Sequence, residues 1–163
     1  MFLLLRNKLV LLASIFIISC GSTNEIVDIE STDKIIYRFG DSSVPPPYHR
    51  SYEIVANKST INIVVDSYGD IISEKSIELR SENFTDILQT IKKAEISPQK
   101  ERNSIGCTGG TSDYLDLFNG DQNIFSGFVY NCGGEKFGNM KGDITIVKTK
   151  LKSLIPDFLS LLE

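Results

Sequence analysis

Ser51–Leu79, SYEIVANKSTINIVVDSYGDIISEKSIEL, decides the fold. Within it, Thr60–Asp66 (TINIVVD) alternates apolar and polar residues and sets Ile61, Ile63 and Val65 on one face, the period of a half-buried strand. Ser51–Ala56 before it and Ile71–Leu79 after it also read as strands. The breaks between them, Asn57-Lys58-Ser59 and Tyr68-Gly69-Asp70, are short and built from turn-forming residues. Turns this short join antiparallel neighbours, so the stretch predicts a meander.

Working outward, Lys34–Phe39 (KIIYRF) is β-branched and aromatic and adds a strand upstream. Gly40–Arg50 lies between, and Pro45-Pro46-Pro47 cannot donate ladder hydrogen bonds, which makes this a stiff loop. Downstream the period changes to 3.6. Phe84, Ile87, Leu88, Ile91 and Ala94 form one helical stripe, with Asn83 as the expected N-cap and Lys92 and Lys93 suiting the dipole at the other end. Glu95–Thr111 reads as a long polar connection. Ser112–Phe118 and Ile124–Tyr130 flank Asn119-Gly120, a strong hairpin signal that predicts Phe118 opposite Asp121. Gly133–Gly142 reads as a second long loop. A last helix carries Ile144, Val147, Leu151, Leu154, Ile155 and Phe158, capped by Asp143 and broken at Pro156. The order ββββ-α-ββ-α predicts an α+β domain over residues 34–163, an antiparallel sheet of about six strands with two helices on one face.

The start of the chain is different in kind. Arg6 and Lys8 precede the apolar run Leu9–Ile18, and Ile17-Ile18-Ser19-Cys20 closes it, the layout of a secretory signal peptide. The apolar run is short of the ~20 residues that cross a bilayer. The closing tetrapeptide resembles the lipobox of bacterial lipoproteins. That resemblance implies cleavage after Ser19, lipidation of Cys20 and acylation of the new amino terminus with palmitate-like chains, so that residues 1–19 are removed. Residues 20–33, polar and acidic, are then expected to act as a flexible tether. Gly21, standing where an aspartate would signal inner-membrane retention, implies by the same resemblance the outer membrane, on its periplasmic or surface side.

With Cys20 assigned to lipid, Cys107 and Cys132 are an even pair in an exported chain, and a disulfide is expected. Closing a loop of that length contributes about 3.5 kcal/mol in the chain-entropy model. A zinc site would need ligands that one histidine, His49, and no Cys-x-x-Cys pair do not supply. The chain has a net charge of −4, and cleavage would remove two further cations. No electrostatic reason to bind nucleic acid is present.

Catalysis needs a convergent nucleophile and acid–base set, and none is visible. His49 with Cys107 is the only Cys–His combination, and an oxidised Cys107 cannot attack. Asp113, Asp116 and Asp121 read as the solvated face of a hairpin. The glycines of Gly106–Gly110 and Gly133-Gly134 lack the Lys-Ser/Thr of a phosphate loop. The chain is therefore not expected to be an enzyme or to hold a cofactor or metal. Two functions remain. One is a lipid-anchored envelope protein that binds a protein or glycan partner. The other is a protease inhibitor, since the element order of the second half of the chain looks like that of emfourin-type metalloprotease inhibitors, with no motif to carry residues across. Counting chain reversals gathers the loops Gly40–Arg50, Glu95–Thr111 and Gly133–Gly142 at the end away from the tether. Tyr48, His49, Arg50 and Phe137 are then the expected partner-binding residues.

Overall fold

Alternation in Thr60–Ser67 is matched residue for residue by burial: Ile61, Ile63, Val65 and Ser67 are buried, while the residues between them are half-exposed. The computed structural model describes residues 27–104 and 108–163. Strands β1 (Lys34–Gly40), β2 (Ser51–Asn57), β3 (Thr60–Ser67) and β4 (Asp70–Glu78) form the expected meander. Helix α1 (Ser81–Lys93) follows, then β5 (Ser97–Arg102), β6 (Thr111–Asn119), β7 (Gln122–Cys132), β8 (Glu135–Lys141) and helix α2 (Ile144–Ser153). All pairings are antiparallel, in the order β4-β3-β2-β1-β6-β7-β8-β5.

The α+β class is as expected, but the sheet has eight strands among the described residues, not six. Both additional strands lie in stretches expected to be loops. Gly133 and Gly134, with φ of 59° and 86°, make the tight turn from β7 into β8, and Cys132 pairs with Glu135 across it. The β6–β7 hairpin is also shifted. Asn119 pairs with Gln122 around Gly120-Asp121, and a bulge at Leu117/Phe118 sets Phe118 opposite Asn123 instead of Asp121.

The edge position of β5 redirects α1. Strands β4 and β5 lie at opposite edges, so α1 crosses the sheet instead of running back along it to the end distal to Lys34. Seven strand spacings span about 34 Å and thirteen helical residues about 20 Å, so the flanking residues help to bridge the width. Helix α2 returns the other way. Its Lys148 reaches Asp113 of β6, and Lys75 of β4 donates to the carbonyl of Pro156 just beyond its end. The two helices run side by side, with Lys150 of α2 3.4 Å from Asp86 of α1.

Both helices cover one face of the sheet. Ile35, Tyr37, Ile54, Ile63, Leu115, Leu117 and Val129 meet Phe84, Ile87, Ile91, Val147 and Leu151 in a single core. Arg80, not Asn83, caps α1, and no side chain bonds there. Asp143 does cap α2, accepting from the Thr145 N–H at 3.0 Å. Helix α2 ends at Ser153, ahead of Pro156, as the missing donor of that proline requires.

Residues 27–33, expected to be part of the tether, are packed on the domain. Val27 and Ile29 pack on the core, Glu30 pairs with Lys92, and the Asp33 N–H donates to Phe118 at 2.8 Å. Residues 27–33 therefore belong to the domain. Both edges of the sheet are guarded against strand addition. Strand β5 carries Pro98 and three charges, Lys100, Glu101 and Arg102, while β4 presents Asp70, Glu74, Lys75 and Glu78.

Candidate binding face

The helix-free face of the sheet carries a second set of side chains, bordered near β8 by Asn103 and Ser104 of the β5–β6 connection. Along β1 and β6, residues facing the helices alternate with Arg38, Tyr114 and Asp116 on the other side. Register then aligns them in rows. One row runs Val64, Glu53, Arg38, Tyr114, Phe128 across β3, β2, β1, β6 and β7. In the next, Gly40, Ser112, Tyr130 and Phe137 follow one another across β1, β6, β7 and β8.

Aromatic contacts fix the rings in place. Tyr114 and Phe128 stack at 5.7 Å between centroids, the Arg38 guanidinium lies 5.6 Å from the Tyr114 ring, and Arg102 lies 5.6 Å from Phe137. Tyr114 is 38% exposed. Arg38 donates to Asp116 at 2.5 Å, and the carboxylate is almost wholly covered. Asp113 is buried too, on the opposite face. It accepts from the Tyr37 hydroxyl, from Lys148 at 2.8 Å and from Asn131 at 3.3 Å. The expectation of a solvated acidic hairpin face is therefore overturned for Asp113 and Asp116. Both carboxylates are drawn inward by cations on neighbouring elements. Asp121, at the hairpin tip, is exposed as expected.

Two depressions flank Tyr114. One, of about 560 Å³, is bordered by Arg38, Gly40, Ser51, Glu53, Asp66 and Tyr114. The other, of about 360 Å³, is bordered by Arg102, Asn103, Ser104, Tyr114, Phe128, Tyr130 and Phe137. Gly40 deepens the first. A Cβ there would stand 2.3 Å from the Ser112 hydroxyl.

The residues expected to bind a partner are not brought together. Phe137 lies on this face, on β8. Tyr48, His49 and Arg50 lie in the β1–β2 connection, several strands away. His49 is buried at 5% exposure rather than displayed on a loop. Its ring stacks on Tyr68 at 3.9 Å, and its Nε2 is 3.3 Å from the Ser51 hydroxyl. Arg50 holds the end of the chain, donating to the carbonyls of Leu162 at 2.7 Å and Glu163 at 3.2 Å. Only Tyr48, at 75% exposure, is displayed. The convergence of three long loops does not occur, because two of them contain β5 and β8.

The expected lipidation of Cys20 and the expected pairing of Cys107 with Cys132 fall on residues that lie outside the described ones. Cys132 closes β7 and pairs with Glu135. No cluster of three His, Cys, Asp or Glu side chains suited to a metal occurs among the described residues. There is also no helix among them long and apolar enough to cross a membrane.

No protein-family model matches the chain, and neither does any curated protein or solved structure. The likeness to emfourin-type inhibitors covered the element order of the second half of the chain alone, and no residue is carried over from it.

Proposed function

We propose that this chain is a lipid-anchored protein of the bacterial cell envelope, held at the outer membrane through Cys20, whose folded domain is a non-catalytic binding module. The observation that carries the binding role is the helix-free sheet face. It leaves Tyr114, Phe128, Tyr130 and Phe137 grouped beside Arg38 and Arg102, the residue types enriched where binding energy concentrates. The anchor is supported by the Met1–Cys20 pattern alone. The experiment is metabolic labelling with a palmitate analogue in a lipoprotein-processing bacterium. The wild-type chain is expected to be labelled and to sediment with membranes, and Cys20→Ser to lose both properties. Label retained in that variant overturns the anchor.

A disulfide between Cys107 and Cys132 belongs to the same proposal. It would tie the β5–β6 connection to the far end of β7. Non-reduced digests of chain taken from the envelope are expected to yield one linked peptide pair, and two freely alkylated thiols would exclude it.

A further inference from the structure

Resting on the reading of the helix-free face as a binding surface, we propose that its β2–β4 half docks a polypeptide segment in which lysine or arginine alternates with apolar residues. Three carboxylates carry the assignment. Strand pairing sets Glu53 of β2 and Glu74 of β4 on either side of Val64, and Asp66 lies two residues along β3 from that valine. Glu74 is exposed and the other two are half-buried. No cation forms an ion pair with any of the three among the described residues. Arg38, directly opposite Glu53, is drawn to Asp116. Lys75, next to Glu74, points to the helix side and donates to the Pro156 carbonyl. The fold therefore leaves this charge open, on a chain already at net −4.

Charge and spacing choose the occupant. A second copy of this acidic chain, an anionic bilayer and an acidic polymer would each meet repulsion. A single metal ion is too small, because two strand spacings part the backbones of Glu53 and Glu74 by about 10 Å. No group of three His, Cys, Asp or Glu suited to a metal occurs among the described residues. An extended chain repeats every second side chain at about 7 Å, so its cations can meet separate carboxylates in turn. Between those carboxylates the face is apolar. Val64 lies at the centre, and Ile71, opposite Asp66 on β4, is exposed. Depressions of about 560 Å³ beside Glu53 and Asp66 and about 430 Å³ beside Val64 and Glu74 leave room for side chains. Apolar area set among the charges favours a polypeptide over a bare polyamine.

The test titrates the full chain, purified in a nonionic detergent, with peptides alternating lysine and valine, serine and valine, or glutamate and valine, and with spermidine. The lysine–valine peptide is expected to bind, more weakly as salt rises, and the glutamate–valine peptide to fail. Glu53→Gln, Asp66→Asn and Glu74→Gln should each weaken binding by about threefold, the scale of one exposed ion pair, and together by about thirtyfold. Asp66→Asn keeps an acceptor for the Gly69 N–H, which Asp66 Oδ1 holds at 2.9 Å, so circular dichroism should match wild type. Combining Glu82→Gln, Glu101→Gln and Asp121→Asn removes as much charge from α1, β5 and the β6–β7 turn, and should leave binding unchanged. Equal losses in the two triple variants would reduce the effect to net charge and overturn the site. Spermidine bound as tightly as the lysine–valine peptide, through the same three carboxylates, would overturn the polypeptide. Binding of the serine–valine peptide that depends on Tyr114, with no preference for lysine, would overturn the basic partner and keep the binding face. No binding by any probe would overturn both.

Discussion

Asp113→Ala is expected to destabilise the fold by about 3–5 kcal/mol, read as a lowered urea midpoint, because it strands a covered ammonium. The Asp113 carboxylate is 4% exposed and the Lys148 side chain 22%. Three donors converge on that carboxylate, the Tyr37 hydroxyl, Lys148 and Asn131. Removing it takes that acceptor from all three, including the Lys148 ammonium held over the Phe39 ring. Lys148→Met should cost less, since Tyr37 and Asn131 still donate to the carboxylate. A loss below about 1 kcal/mol for Asp113→Ala would put the pair in the class of exposed ion pairs.

The same cluster sets an alkaline limit. Burial, opposed by the hydrogen bond with Tyr37 and helped by the charge of Asp113, pushes the Tyr52 phenol up to about 12. Tyr37 is raised further, first by burial and then by Tyr52 and Asp113. Both lie above the ordinary value of 10.0, so the unfolded chain gives up these protons at lower pH than the folded one. Their contribution is intact below pH 10 and falls as the pH rises toward 12. In a variant whose other four tyrosines are replaced by Phe, tyrosinate absorbance and unfolding should appear as one event.

Gly138→Ala is the second large effect, expected at about 2–4 kcal/mol from backbone strain and overpacking together. Gly138 has a φ of 118°, and a Cβ would fall 2.2 Å from the Phe128 carbonyl oxygen, a backbone atom that cannot swing aside. Val129 and Arg102 pair with it on either side, so the strain would be felt in both the β7–β8 and the β8–β5 ladders. Phe137 would shift with the strand. Gly120→Asn is the contrasting variant. Its φ of 57° suits asparagine and nothing lies within 4 Å, so a change under about 1 kcal/mol is expected. Equal losses at both positions would show that backbone conformation alone, and not the contact with Phe128, sets the cost.

Hydrophobic period was enough to read β1 to β3 and both helices, because each has one buried face and one wet one, while β4, with no fully buried residue, was legible from the turn before it. It failed at β5 and β8 for different reasons. The β5 sequence, SPQKER, has no apolar alternation to detect, since this edge strand is exposed along nearly its whole length. In β8, EKFGNMK, Gly138 occupies a position facing the core and breaks the pattern. A signal for β8 was nonetheless present in Gly133-Gly134, a turn pair as telling as Asn119-Gly120. Of the binding face, Phe137 alone was legible. The rings of Tyr114 and Phe128 meet only in the true register, which the shifted turn and the bulge displace by three residues from the simplest hairpin. An odd displacement exchanges the two faces of β7, hiding which aromatics stay outside.

Strand β5 is made before β8, its one partner among the described residues. Strands β6 and β7 and the connections between them must be placed before β8 can arrive. A growing chain therefore holds β5 as an unpaired segment for as long as the second hairpin takes to form, and late long-range pairing is the slow part of folding a sheet. An apolar strand in that position would find other partners first. Pro98, Lys100, Glu101 and Arg102 make β5 a poor template for them. The polarity that conceals this strand from a reading by hydrophobic pattern is what lets it wait.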